Sequence, residues 1–230
     1  MTIELASAEN AENPGSTGSA EGTTGASAAG EGSAALDLLA QQVRDLVDAV
    51  VLTGAPQDEI VEITAELAVL TDRLRALRRT SRHPLAFDPE GVPRHAGNAV
   101  TGSANPYALP LVSQVTPDRT IRAELSFRQV HEGPPTSVHG GVSAMILDHV
   151  LGQAVAVAGG AGMTGTLTLR YVRRVPYGEP LVATAEYVRS EGRKSWAEGR
   201  IALPDGTPLV EATGLFITPR VWKEEMTGAQ

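Results

Sequence analysis

The sequence predicts an α+β fold: an antiparallel sheet curled around one central helix and preceded by an N-terminal helical hairpin. Three observations lead there. From Val142 to Val157 nearly every residue is apolar, and a helix apolar on all sides belongs inside a protein, wrapped by other elements. From residue 110 onward the rest of the chain alternates with a period near two, in six stretches, two before that helix and four after it. Between residues 35 and 79 the apolar residues instead fall three and four apart, the spacing of helices that pack along a stripe.

Taken in order, residues 1–34 are Gly, Ser, Thr, Ala and Glu with few large apolar side chains. Such a segment cannot bury enough surface to offset its ordering entropy, so a disordered acidic tail is expected. Residues 35–82 form the helical hairpin. Leu36, Leu39, Val43, Leu46 and Val50 make the first stripe, and Ile60, Ile63, Leu67, Leu70, Leu74 and Leu77 the second, with Gly54-Ala-Pro56 as the turn. Neither helix can bury its stripe alone, so the pair is expected to pack on itself, on a sister chain or on the main domain. Arg73, Arg75, Arg78, Arg79 and Arg82 follow at the end of the second helix. They read either as cations at a helix carboxyl end or as an anion- or DNA-binding surface.

Residues 83–104, with Pro84, Pro89 and Pro93, read as an extended linker over the surface. The main domain occupies 105–220 and a short tail 221–230. Its strands are expected at Leu111–Thr116, Arg119–Phe127, Thr164–Val172, Leu181–Val188, Ser195–Leu203 and Leu209–Ile217, with a hairpin turn at Pro204-Asp-Gly206. Strands in hairpin succession on either side of one apolar helix are satisfied by an antiparallel sheet wrapped around it.

Totals exclude several classes. The chain has no cysteine, so disulfides, thiolate catalysis and Cys-based zinc sites are out. The net charge is −8, and Glu4, Glu9, Glu12, Glu21 and Glu31 of the tail account for five of those charges. An acidic balance argues against general nucleic-acid affinity. No apolar run approaches the roughly 20 residues that span a bilayer, and the amino terminus lacks the regions of a secretory signal. A cytoplasmic location is expected.

Chemistry gathers on the central helix. A carboxylate is rarely buried unless paired or used, and Asp148 lies in the middle of the apolar run. Desolvation raises such a pKa and improves the group as a base; the alternative is a capped acid with no task. His139-Gly140-Gly141 stands at the helix entrance. There a free Gly140 N–H would combine a donor with the positive end of the helix dipole, which suits an oxyanion. The alternative is a plain strand-to-helix turn. Thr164 opens a strand after a glycine-rich bend and by itself reads as a β-branched strand residue. His149 reads as a packing or interface residue, because adjacent helix positions point about 100° apart. Arg193 and Lys194 follow a turn, and from charge alone they read as solvated. Gly160-Ala-Gly162-Met-Thr-Gly165 satisfies a dinucleotide pattern in the wrong order, helix before strand. The five histidines show no metal-ligand spacing.

His139-Gly140-Gly141, Asp148 nine positions later, the glycine-rich run into Thr164 and the segment Val188–Lys194 together resemble the hotdog-fold acyl-CoA thioesterases of the PaaI type. The likeness is nearest to the branch containing the mammalian mitochondrial thioesterase-superfamily members. It covers roughly residues 105–219. The resemblance implies a hotdog fold that joins sheets edge to edge as a homodimer or homotetramer, with the His-Gly-Gly turn of one subunit facing the acid of the other. It implies that Asp148 activates water or attacks the thioester, that Thr164 places the water, that the Gly140 N–H polarises the carbonyl and that His139 shapes the entrance. Gly141 then contacts substrate, and Arg193 and Lys194 meet the phosphates of coenzyme A. Some members carry an Asn or Gln six positions before the His; here Gly133 stands there.

The activity expected is hydrolysis of an acyl-CoA to free acid and coenzyme A, without metal or cofactor. Two rivals are an acyl-CoA-sensing regulator with a DNA-binding hairpin and a hotdog dehydratase or hydratase. The heptad stripes and acidic charge speak against the first. The second would need a further acid and His placed for a β-hydroxyl, and no such constellation is evident.

Overall fold

The structure, a computed structural model, describes residues 2–4, 25–109 and 111–222. Its elements are β1 (Thr2–Glu4), α1 (Gly25–Leu52), α2 (Gln57–Ala76), β2 (Ala86–Phe87), β3 (Pro93–Arg94), β4 (Ser113–Val115) and β5 (Ile121–Leu125), then a 3-10 turn (Gln129–His131), α3 (Gly140–Val157), β6 (Met163–Tyr171), β7 (Leu181–Glu191), β8 (Lys194–Ala202) and β9 (Pro208–Ile217). The seven-stranded sheet runs β1-β6-β9-β8-β7-β5-β4, antiparallel throughout. The six expected strands and the central helix are present, and the Pro204–Gly206 turn joins β8 to β9.

The sheet curls because of what lies on its inner face. One transverse row, read through the strand register, is Ile121, Ala185, Gly199, Ala212 and Leu169. Small residues fill the middle of the row and large ones its ends, so α3 settles into the middle with Leu151 against Gly199. Leu147, Val150 and Leu151 of α3 are completely buried beside Ala183, Ala197 and Ile201. At about 25 cal/mol per Å² of buried apolar surface, this helix–sheet contact is the main source of cohesion. α3 is also long and apolar enough to cross a membrane, but most of it is buried against the sheet.

Two features of the N-terminal segment differ from expectation. Helix α1 begins at Gly25, inside the segment expected to be disordered, because Ala-rich sequence continues the helix backward from residue 35. Thr2–Glu4 of that same segment adds a strand to the outer edge of β6, opposite Thr166–Thr168; residues 5–24 lie outside the described residues. Residues 220–222 of the C-terminal region carry a helical turn, and 223–230 lie outside the described residues.

The helical pair is not closed as a hairpin. α1 docks on the main domain through Leu36, Ala40, Val43 and Arg44, a face rotated from the expected stripe, and leaves Leu39 and Val50 exposed. α2 buries none of its side chains. Among the described residues, no hydrogen bond or ion pair joins α2 to another element. The linker folds into the β2–β3 ribbon, with Val92 fully buried and Asp88 paired to Arg94 at 2.8 Å.

Candidate active site

Helix α3 is not sealed on every side. Its buried residues leave one line of partly accessible positions, Val142, Met145, Asp148, His149, Gly152 and Ala156. Their spacing of three and four makes a single stripe on one helix face. An all-apolar sequence conceals which face stays open, and the structure places Asp148 on it.

Asp148 accepts a hydrogen bond from Thr164 Oγ1 at 2.7 Å. Burial pushes its carboxyl above the ordinary range, and the Thr164 hydroxyl partly opposes that by stabilising the ionised form. Thr164 pairs with Phe216 beside a bulge in β6, where the register slips between Thr164 and Thr166, the latter paired to Leu215. The acid and the hydroxyl expected to serve it are therefore direct partners.

The amino end of α3 holds the other group. His139 caps the helix, its Nδ1 accepting from the Gly141 N–H at 3.0 Å. That occupies the Gly141 donor. The Gly140 N–H has no protein partner among the described residues and lies at the positive end of the helix dipole. Tyr171, unforeseen from sequence, donates its hydroxyl to the Gly140 carbonyl at 2.8 Å. A Cβ at Gly140 would lie 3.0 Å from that hydroxyl, so the glycine leaves room for the Tyr171 ring. At Gly133 a Cβ would come within 2.7 Å of His139 Cα. An amide side chain there would displace the His139 turn, which explains why this chain carries none.

These two halves are apart within one chain. Eight residues of helix separate Gly140 from Asp148, about 12 Å along the axis. Lys194, Ile217 and Met163 stand in one row on adjacent strands, so the β7–β8 turn lies about 10 Å from the start of β6, at the Asp148 end. Lys194 is exposed there. Arg193 donates to the Thr218 carbonyl at 3.0 Å, which ties the turn to the end of β9. His149 bonds Thr101 Oγ1 through Nε2 at 3.1 Å. Burial, with Arg94 nearby, lowers its pKa to about 4, so it is neutral at physiological pH. It packs the linker onto α3, as the packing reading expected.

Beside His139 opens a cavity of about 510 Å³. Val142 and Met145 of the α3 stripe form one wall, Val43 and Val47 of α1 another, and Tyr107 and Val130 complete it. Nothing in the local sequence of α1 marks it as part of the site, because its contribution comes from docking alone. The docking is built on two arginines. Arg44, buried, donates from Nε to the Ala108 carbonyl at 2.9 Å and from Nη2 to the carbonyls of Gly102, Ser103 and Asn105 at 3.3, 2.9 and 2.9 Å. Arg128, just before the 3-10 turn, pairs with Asp48 at 2.8 Å and Asp45 at 3.3 Å and donates to the Arg44 carbonyl. Among the described residues, no three His, Asp or Glu side chains converge to hold a metal ion.

Comparisons with known proteins point to one family. Residues 136–207 match the family model for the thioesterase superfamily. The crystal structure of a thioesterase superfamily protein is 36% identical, covering 79% of this chain and 94% of its own, with a TM-score of 0.72. An acyl-coenzyme A thioesterase of Xenopus laevis, THEM4, is 36% identical over 87 residues, which are 37% of this chain and 39% of that protein. Its Bos taurus counterpart is 37% identical over 87 residues, again 37% of this chain and 35% of the relative. The match thus spans under half the length of these curated relatives.

Proposed function

The chain belongs to the thioesterase superfamily, and on that premise we propose that it is an acyl-CoA thioesterase acting through sites shared between two copies. The observation that carries this reading is Asp148: a carboxyl with raised pKa, on the one open stripe of a buried helix, oriented by Thr164. Asp148 takes a proton from water, and the hydroxide attacks the thioester carbonyl. The Gly140 N–H of the other copy receives the developing oxyanion, and the helix dipole adds to that stabilisation. Collapse of the tetrahedral species expels the thiolate of coenzyme A, which takes the proton back. The axial separation of Gly140 and Asp148 supports a two-chain site, because one chain does not bring them to a common substrate. Lys194 and the free N–H groups of Arg193 flank the acid's end of the sheet and suit the phosphates of coenzyme A.

Complementation tests the shared site. Asp148→Asn removes the base. Gly140→Pro removes the N–H at the first helical position, where extended His139 (φ −61°, ψ 131°) suits a following proline, and Tyr171→Ala on the same chain makes room for the added ring. Each variant alone is expected to be nearly inactive. Co-expressed, mixed dimers carry one intact site, and about a quarter of wild-type hydrolysis should return. No recovery in verified mixed dimers would rule out a site shared in this way.

The acyl chain enters the cavity between α1 and α3, with its thioester at the His139–Gly140 mouth. Its size is in the range of small-molecule pockets; Val43, Val47, Val130, Val142 and Met145 give it an apolar side, while Arg44, Arg128, His131 and Glu132 also line it. Val47→Trp should therefore raise KM for long-chain acyl-CoA about tenfold while leaving a short-chain substrate within about twofold. Equal effects on both chain lengths would place the acyl group elsewhere.

A further inference from the structure

Among the described residues, helix α2 is an amphipathic helix without a partner. Ile60, Ile63, Leu70 and Leu74 are 37–55% exposed on one stripe with Leu67. Five apolar positions at heptad spacing, continued by Leu77 at the C-cap, are the pattern of a helix that pairs with another helix. Charge says which one. Among its first ten residues Asp58, Glu59, Glu62 and Glu66 are acidic and none is basic; its last five hold Asp72, Arg73 and Arg75, with Asp72 paired to Arg75, and Arg78, Arg79 and Arg82 follow just past the helix end. A helix dipole accounts only for charges in the first and last turns. Glu62 and Glu66 lie beyond the first turn, so the polarity extends further than the dipole explains.

We propose that α2 is a self-association helix that pairs antiparallel with α2 of a second copy. Antiparallel alignment puts the acidic half of each helix against the basic half of the other, whereas parallel alignment sets like charges together. The apolar layers then match as Ile60 with Leu77, Ile63 with Leu74 and Leu67 with Leu70. Glu66 comes beside Arg73 of the opposite copy on both sides of the twofold axis. This contact is independent of the active-site reading, since α2 touches neither Asp148 nor the cavity.

The absence of cysteine in the chain makes a direct test possible. Full-length Ile63→Cys and Leu74→Cys chains, one carrying a size tag, are expressed separately and together, then oxidised in air. Antiparallel pairing sets position 63 opposite position 74, while two copies of position 63 stand about 16 Å apart, too far for a disulfide. A disulfide-linked dimer is expected in the co-expressed sample and not in either variant alone. Glu66→Arg should cut the cross-linking yield severalfold, and adding Arg73→Glu should restore it. Cross-linking of either cysteine variant alone, or none in the mixture, would overturn the proposal. Thioester hydrolysis measured on the same samples reports the catalytic domain separately.

Discussion

Asp148→Asn is expected to lower kcat by about 10²–10⁴, the usual contribution of a positioned general base, without lowering Tm. Both halves follow from one arrangement. The carboxyl is half-buried on α3 and held by Thr164 at 2.7 Å, and asparagine keeps an oxygen for that hydroxyl to donate to. What the variant loses is the ability to accept a proton from water. What it gains is freedom from a desolvated charge. Because burial raises the folded pKa of Asp148 above its unfolded value, the native state binds the proton more tightly. The favourable contribution is complete below the unfolded pKa, near 4, and is lost as pH rises through the folded pKa. The parent should therefore fall behind the variant in Tm as pH climbs from about 4 toward neutrality. The parent's kcat/KM should rise over the same limb as the base ionises. A variant that melts lower at pH 7, or that retains turnover, contradicts the assignment.

Arg44→Ala should cost about 3 kcal/mol, seen as a fall in Tm of roughly 8 °C. Four backbone carbonyls of the 102–108 loop converge on this one guanidinium, and alanine would leave them without a charged donor. Its buried position means that water does not simply replace the lost bonds. The functional consequence is selective. With α1 loosened, the wall formed by Val43 and Val47 is lost, so hydrolysis of a long-chain acyl-CoA should fall further than that of a short-chain one. Arg44→Lys keeps the charge but cannot reach four carbonyls with a planar fork, and it should recover only part of the loss. Thermal melts and a two-substrate rate comparison on the same preparations check both statements.

Much of this protein was legible from local pattern. The central helix, the six strands around it and Asp148 at its middle rest on hydrophobic period and turn residues, which act over a few residues, while Thr164 as a partner of the acid came from the family resemblance. Other features were hidden for identifiable reasons. The start of α1 at Gly25 rests on alanines that read equally as low-complexity tail. Tyr171 is one aromatic at a strand end, and only the return of β6 past the α3 terminus gives it Gly140 as a partner. Arg44 falls beside an apolar stripe where a solvated cation is the ordinary expectation, and its acceptors come from about sixty residues away.

The sequence by itself determined that an apolar helix must be enclosed by an antiparallel sheet, since no other packing hides so much hydrocarbon from water. It also named the acid and the glycine turn. Only the tertiary structure decided which face of that helix stays open, that its two reactive ends are held apart within one chain, and that α1 closes the cavity while α2 is left bare. Those outcomes depend on contacts between residues distant in the chain, and a periodicity of two or 3.6 carries no information about them.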